Sequence, residues 1–282
     1  MKERVCVVMP TYNERENLEP TLGELFARNP GVDVLIVDDG SPDGTGHLAD
    51  LIAEATAVDL LDDDGAACPV HTVSNDSSVH TSDIAIANRL RRCINGSRLF
   101  VMHRKGKLGL GSAYIDGFTW ALGQEYDLIC EMDMDGSHRP EDLSRMLEFM
   151  ETHPDIDLTL GSRRVAGGQT EDWPWYRDFI SRAGSMYARF MLGLHVKDMT
   201  CGFRVYRARI LRALPLRDIR DNGYVFQIDM TRQVVGAGGR VVELPIVFPE
   251  RVRGESKMTG SIVREAMIQV TKWGFQRLVP RR

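Results

Sequence analysis

Long apolar runs are missing from this sequence. Nowhere do 18 apolar residues follow one another, so no stretch is expected to cross a bilayer as a helix. The apolar run at 5–9 stops at Pro10 and is shorter than a signal-peptide core. A basic excess is missing too: 35 Lys and Arg stand against 40 Asp and Glu, a net charge of -5. That balance argues against a nucleic-acid partner. Cysteine is sparse and unpatterned. Cys6, Cys68, Cys93, Cys130 and Cys201 include no CxxC pair, which speaks against a disulfide framework or zinc site and for a reducing cytosol. Two nucleotide signatures are absent as well. No GxxxxGK[ST] occurs and no GxGxxG follows the first strand, which disfavours a P-loop and a dinucleotide site.

What remains is 282 residues, 43% hydrophobic, enough for one large α/β domain with an appendage. Residues 5–9 (VCVVM) read as a buried strand, then a polar turn, then a helix with Leu18, Leu22, Leu25 and Phe26 on one face. Residues 33–37 form a second strand ending in Asp38-Asp39, with a helix from about 45 to 57. This alternation predicts a mostly parallel sheet with flanking helices. The stretch 59–97 is polar, acidic and aperiodic, and is expected to be a surface insertion with at most a short basic helix at 84–92. The rhythm resumes with strands at 99–103, 127–132 and 156–160 and helices at 109–123 and 140–151. A long helix over 176–193, a strand over 241–248 and a final helix over 260–277 complete the reading.

Carboxylates cluster just past the predicted strand ends: Glu14, Asp38 with Asp39, and Asp133 with Asp135. Ligands of open parallel sheets bind outside the carboxyl ends of the strands. Asp133-Met134-Asp135 places two carboxylates within reach of one hard cation, Mg²⁺ or Mn²⁺; solvated loop acids are the plainer account. Lys107-Leu108-Gly109-Leu110-Gly111-Ser112 precedes a helix, where the glycines serve a ligand or close packing. Arg163, Arg177, Arg251, Arg253 and Lys257 fall at turns, where phosphate contact and ordinary surface charge are the alternatives. His103 and His138 flank the same region and read as solvated or core histidines.

Six segments occur in one order: MPTYNERENL (9–18), VDDGSPDGT (37–45), GLGSA (109–113), MDMDGSHRPEDL (132–143), LGSRRVAGG (160–168) and FPERVRGESKM (248–258). Together they resemble the dolichol-phosphate and polyprenol monophosphomannose synthases of glycosyltransferase family 2, in the bacterial form. The resemblance implies a GT-A fold over 1–258, an amphipathic helix and basic tail over 259–282, and inverting transfer of mannose from GDP-mannose to a polyprenyl phosphate. It implies that Pro10, Tyr12, Glu14, Val37 and Asp39 hold the nucleotide. Asp133 and Asp135 become the catalytic carboxylates, with Met134 lining the donor site. Asp135 is the direct metal ligand, and Ser137, where many relatives have glutamine, reaches the metal through water. Arg163, Arg251 and Lys257 contact donor or acceptor phosphates, and Arg177 and Ser181 the acceptor phosphate. The family's lysine after a Gly-Tyr pair is replaced by Val225, which carries no role.

A lipid-linked acceptor implies work at the cytoplasmic membrane face. Two routes of attachment stay open: exposed parts of the 176–193 and 260–277 helices lying in the interface, the latter through Trp273 and Phe275 with Arg277, Arg281 and Arg282 on headgroups, or a separate membrane-anchor protein. Packing of that helix on its own domain is the plainer alternative. Two rival functions share these residues: a UDP-glucose-dependent glucosyltransferase, and a non-catalytic sugar-nucleotide-binding subunit. Retention of both DxD aspartates argues against the second.

Overall fold

A computed structural model describes residues 3–57, 81–219, 223–250 and 260–278. Its strands are β1 (Val5–Thr11), β2 (Asp33–Asp38), β3 (Leu99–His103), β4 (Leu128–Glu131), β5 (Leu158–Ser162), β6 (Gln169–Thr170), β7 (Arg204–Arg207), β8 (Val241–Pro245) and β9 (Val247–Phe248). Seven of them form one sheet in the order β3-β2-β1-β4-β7-β5-β8. All run parallel except β7, which is antiparallel to both neighbours. The chain winds outward from β1 to β2 and β3, then returns to place β4 on the other side of β1. The order reverses between β1 and β4, the place where open sheets leave a crevice.

Both faces of the sheet are covered, which is why its strands read as unbroken apolar runs. Side chains alternate along β1. Val5, Val7 and Met9 enter one core with Leu18, Leu22 and Phe26 of α1 (Arg15–Arg28) and Leu48 and Ile52 of α2 (Thr45–Ala57). Cys6 and Val8 enter the other, with Tyr114 and Phe118 of α4 (Leu110–Gly123) and Phe226 of α8 (Gly223–Gly236). Gly117 permits the close approach of α4, since a Cβ there would lie 2.4 Å from Val8 Cγ1.

The stretch 59–97 is not an insertion throughout. Residues 58–80 lie outside the described residues, but α3 (Thr81–Arg91) is part of the packed domain. Ala87 and Leu90 are buried against the α1–α2 layer. Arg15 holds Asp83 at 2.6 Å and Arg89 holds Glu19 at 2.5 Å. The expected 241–248 strand is two: β8 belongs to the main sheet and β9 pairs with β6.

Strand β7, α7 (Ala208–Ala213) and α8 had no counterpart in the sequence reading. Strand β7 carries Arg204, fully buried, whose Nη1 donates to Tyr206 Oη at 3.2 Å. Tyr206 and Gln227 donate to the two oxygens of buried Glu131, at 2.8 and 2.7 Å. Burial raises the Glu131 pKa to about 7, against the pull of Arg204.

Helix α6 (Trp175–Leu192) packs against α9 (Gly260–Leu278), which also contacts α8. Trp273 is a core residue here, 8% exposed with Arg232 above its ring at 4.7 Å. It is not the interfacial side chain expected from the sequence. Among the described residues no helix is long and apolar enough to cross a membrane.

Candidate active site

The carboxyl ends of β1, β2 and β4 bring the predicted acidic residues to one edge. Asp133 and Asp135 follow β4 at the switch point beside β1. The hydroxyl of Tyr114, from α4, donates to Asp133 Oδ1 at 3.0 Å. The Asp133 N–H donates to His138 Nδ1 at 2.8 Å. Asp135 is buried, and its Oδ1 accepts from the Ser137 amide at 3.0 Å and the Ser137 hydroxyl at 2.5 Å. Ser137 is itself fully buried, so its hydroxyl is spent on orienting the carboxylate. Met134 is 2% exposed and packs in the hydrophobic core, while its carbonyl accepts from Thr21.

The donor set suits a hard cation shared with substrate. Among the described residues no three acidic, histidine or cysteine side chains converge on one point. The described residues offer one or two carboxylates there and no complete cage. Mg²⁺ and Mn²⁺ bind well that way when phosphate and water fill the remaining positions.

The β1 and β2 loops form the neighbouring wall. Lys107 Nζ sits 4.2 Å above the Tyr12 ring, a cation–π contact. Lys107 is placed by Asp39, whose Oδ2 accepts from the amides of Leu108 and Gly109, each at 3.1 Å. Arg104, 5% exposed, pairs with the other Asp39 oxygen and donates to Ser112. Gly109 takes φ of +108°, which favours glycine there. Asp39 therefore shapes the loop over Tyr12. Val37 is fully buried in the sheet, Pro10 is half-buried, and Glu14 accepts from Asn17 at 2.7 Å.

The basic half lies beyond β5. Arg163 is 4% exposed and grips Asp198 with Nε and Nη2 at 2.8 and 2.7 Å. Burial would raise the Asp198 pKa, but the Arg163 charge and hydrogen bonds hold it below the usual aspartate value. Arg177 is buried, pairs with Glu250 and lies 3.9 Å above the Trp173 ring. Ser181 Oγ accepts from Arg164 Nη2 at 2.9 Å. Arg251 and Lys257 lie outside the described residues.

The two halves meet through Phe248. The His138 ring stands edge-on to it at 5.3 Å, Arg163 lies 5.1 Å above it, and Trp173 packs against it at 5.5 Å. Next to Arg163 and Ser181 runs an apolar groove between α6 and α9, lined by Ile180, Gly184, Tyr187, Ile228 and Val270. An acidic corner, an arginine group and an apolar groove thus lie in sequence along one side of the sheet.

Arg104, Lys107, Tyr114 and Arg164 were not singled out from the sequence. Arg104 and Tyr114 lie on either side of GLGSA, Lys107 opens the glycine-rich stretch where only the glycines drew attention, and Arg164 lies inside LGSRRVAGG. Spacing marks the motif glycines and the first arginine, but not which adjacent side chain turns toward the cleft.

The profile of glycosyl transferase family 2 matches residues 6–66 and 60–214. The undecaprenyl-phosphate mannosyltransferase of Micrococcus luteus is 47% identical over 272 residues, 96% of this chain and 94% of its own. The polyprenol monophosphomannose synthase of Mycolicibacterium smegmatis is 42% identical over 274 residues, 97% of this chain and 88% of its own. Among solved structures, a glucosyl-3-phosphoglycerate synthase from Mycobacterium tuberculosis, in complex with Mn²⁺, UDP-glucose and phosphoglyceric acid, superposes with a TM-score of 0.59. It is 14% identical, and the match covers 99% of this chain and 81% of that one. At that identity the likeness is one of fold.

Proposed function

The chain belongs to glycosyltransferase family 2, and from that premise we propose that it transfers mannose from GDP-mannose to a polyprenyl phosphate at a membrane surface. The observation that carries this reading is the identity of 42–47%, over nearly the whole chain, to two enzymes named for that transfer. The site is arranged to suit it. Asp133 and Asp135 would face the donor diphosphate, Tyr12 under Lys107 offers a surface for the base, and Arg163 and Ser181 at the apolar groove suit a phosphate on a hydrocarbon chain.

A phosphate monoester is already an anion near neutral pH, so no general base is needed to make it a nucleophile. Its oxygen attacks the anomeric carbon as the bond to the diphosphate breaks. In-line displacement converts the α-linked donor into a β-linked product, with GDP leaving. The residues' task is alignment and charge placement. Asp135, oriented by Ser137, and Asp133, oriented by Tyr114 and His138, would hold the divalent ion; when bound, the ion offsets the charge growing on the leaving diphosphate.

Membrane contact fits the outer side of α6 and α9. Trp175, Phe179 and Phe190 are 80%, 64% and 81% exposed, and Ile268 and Phe275 of α9 are also exposed. Rings and aliphatic side chains with interspersed arginines suit an interface.

The test is a panel of radiolabelled sugar nucleotides offered with undecaprenyl phosphate and Mn²⁺. Label is expected in the lipid fraction from GDP-mannose. Transfer from UDP-glucose instead would establish the glucosyl alternative, and no transfer from any donor would favour a binding subunit.

A further inference from the structure

Ser181 lines the polar end of the groove, and Arg164 stands directly behind it in surroundings that are not those of a simple structural arginine. Its side chain is 6% exposed. Nη1 donates to Asp178 Oδ1 at 2.6 Å and Nη2 to Ser181 Oγ at 2.9 Å. Nε is buried with no hydrogen-bond partner among the described residues. Arg177, one turn before Ser181 on α6, also has its Nε buried and without a partner there. One orphaned donor belongs to the arginine bonded to Ser181, the other to the arginine one turn before that serine on α6. Native proteins rarely leave such groups unsatisfied, and an exception asks for an absent partner. An anion with several lone pairs, such as a phosphate, fits both forks.

The carboxylate already present is overcommitted. Asp178 holds Arg164 and also accepts from Arg182 Nε at 2.6 Å. Burial pulls the Arg164 pKa down, opposed by Asp178, yet an arginine stays charged throughout the working range. Ser181 accepts from Arg164, which leaves its own O–H to donate. Immediately beyond lies the apolar wall of Ile180, Tyr187 and Val270. The combination matches an amphiphile with an anionic head.

We infer that Arg164 is a further ligand of the acceptor phosphate, and that Asp178 is its stand-in partner, holding the guanidinium in place until the phosphate displaces it. This rests on the acceptor proposed above. It also gives Asp178 an unusual property: as a competitor for Arg164, it weakens substrate binding.

The test is calorimetric titration with farnesyl phosphate, below its aggregation concentration, and separately with GDP. Arg164→Gln is expected to weaken farnesyl phosphate binding by about 10- to 100-fold, the range for a lost charge-assisted contact. Asp178→Asn is expected to tighten it by about threefold. GDP affinity is expected to stay within about twofold in both. A merely structural staple predicts that both variants weaken binding together. Should Arg164→Gln fail to fold, Arg164→Lys keeps the charge without the fork, and an intermediate loss is expected. Unchanged binding in the arginine variant, or weakened binding in Asp178→Asn, overturns the inference alone. A wild-type chain that binds GDP but ignores farnesyl phosphate overturns it together with the proposed acceptor.

Discussion

The Tyr114 hydroxyl reaches across from α4 to donate to Asp133 at 3.0 Å. The ring is wholly buried, stacked between Phe118 and Phe226 with centroids 5.9 Å from each. Burial first, then the Asp133 charge, pushes the phenol pKa well up, so it remains a donor throughout the working range. Tyr114→Phe keeps the stack and removes one bond to a carboxylate, worth about 1.5–3 kcal/mol. We expect kcat to fall by about tenfold, with a drop of only a few degrees in the melting temperature that leaves the variant folded at assay temperature. Steady-state kinetics on the folded variant decide it; wild-type turnover would show that the Asp133 carboxylate does not depend on the Tyr114 hydroxyl.

Asp198 and Arg163 form the buried pair whose rupture is expected to be felt most in stability. Asp198→Asn leaves the guanidinium without its counter-charge, at a cost of about 3–5 kcal/mol. The folded-state pKa of Asp198 is depressed, so the pair's contribution is complete above the unfolded aspartate value of about 3.9 and fades as pH falls through the lower folded value. Urea midpoints from pH 7 to pH 3 should show a constant gap between wild type and variant down to about pH 4.5, then a narrowing one. A gap that closes between pH 7 and pH 5 would assign the effect to another group.

Asp135→Ala is expected to lower turnover by on the order of 10²-fold or more, through loss of charge stabilisation at the diphosphate. Chelation should mimic it. GDP titration with and without Mn²⁺ gives a second readout, with the metal-dependent gain in affinity shrinking in the variant. Ser137→Ala, which only unties the carboxylate, should fall between variant and wild type. Full activity in excess EDTA would rule out the metal.

Trp175→Glu combined with Phe190→Glu should detach the protein from vesicles containing phosphatidylglycerol. Burying one such ring contributes about 1.5–3 kcal/mol, so partitioning in a flotation assay should drop at least tenfold. Both positions face solvent, and turnover of a short soluble acceptor should persist. A wild type that never floats would shift attachment to a separate membrane protein.

The wound strand–helix pattern of the first half was legible because each strand is an apolar run followed by a polar turn and an amphipathic helix. The acidic corner was legible for the same reason: carboxylates at strand ends converge when the strands are parallel. Strand β7 was hidden because Arg204 and Arg207 look like surface charge, while the fold buries both, bonding Arg204 to the Cys201 carbonyl and Tyr206 and Arg207 to the Ile156 carbonyl. Helix α3 was only half seen, since the polar stretch before it masked the small buried face of Ala87 and Leu90. The placing of Trp273 failed because an aromatic near a basic tail fits an interface or a core equally well until its neighbours are known. Partnerships between residues far apart in sequence, such as Arg163 with Asp198, have no periodicity to announce them.

Helix α6 carries Trp175, Phe179 and Phe190 along one face and Arg177 and Ser181 on the opposite one. Its 18 residues make a rod about 27 Å long, and a rod has no means of moving one face without the other. Whatever surface accepts the rings also sets the height and tilt of the arginine-lined groove above it. Landing and aiming become a single event. On the membrane contact proposed above, a substrate confined to a sheet of lipid would meet a site held at a fixed elevation over that sheet, and the encounter would be a search over an area and no longer through a volume.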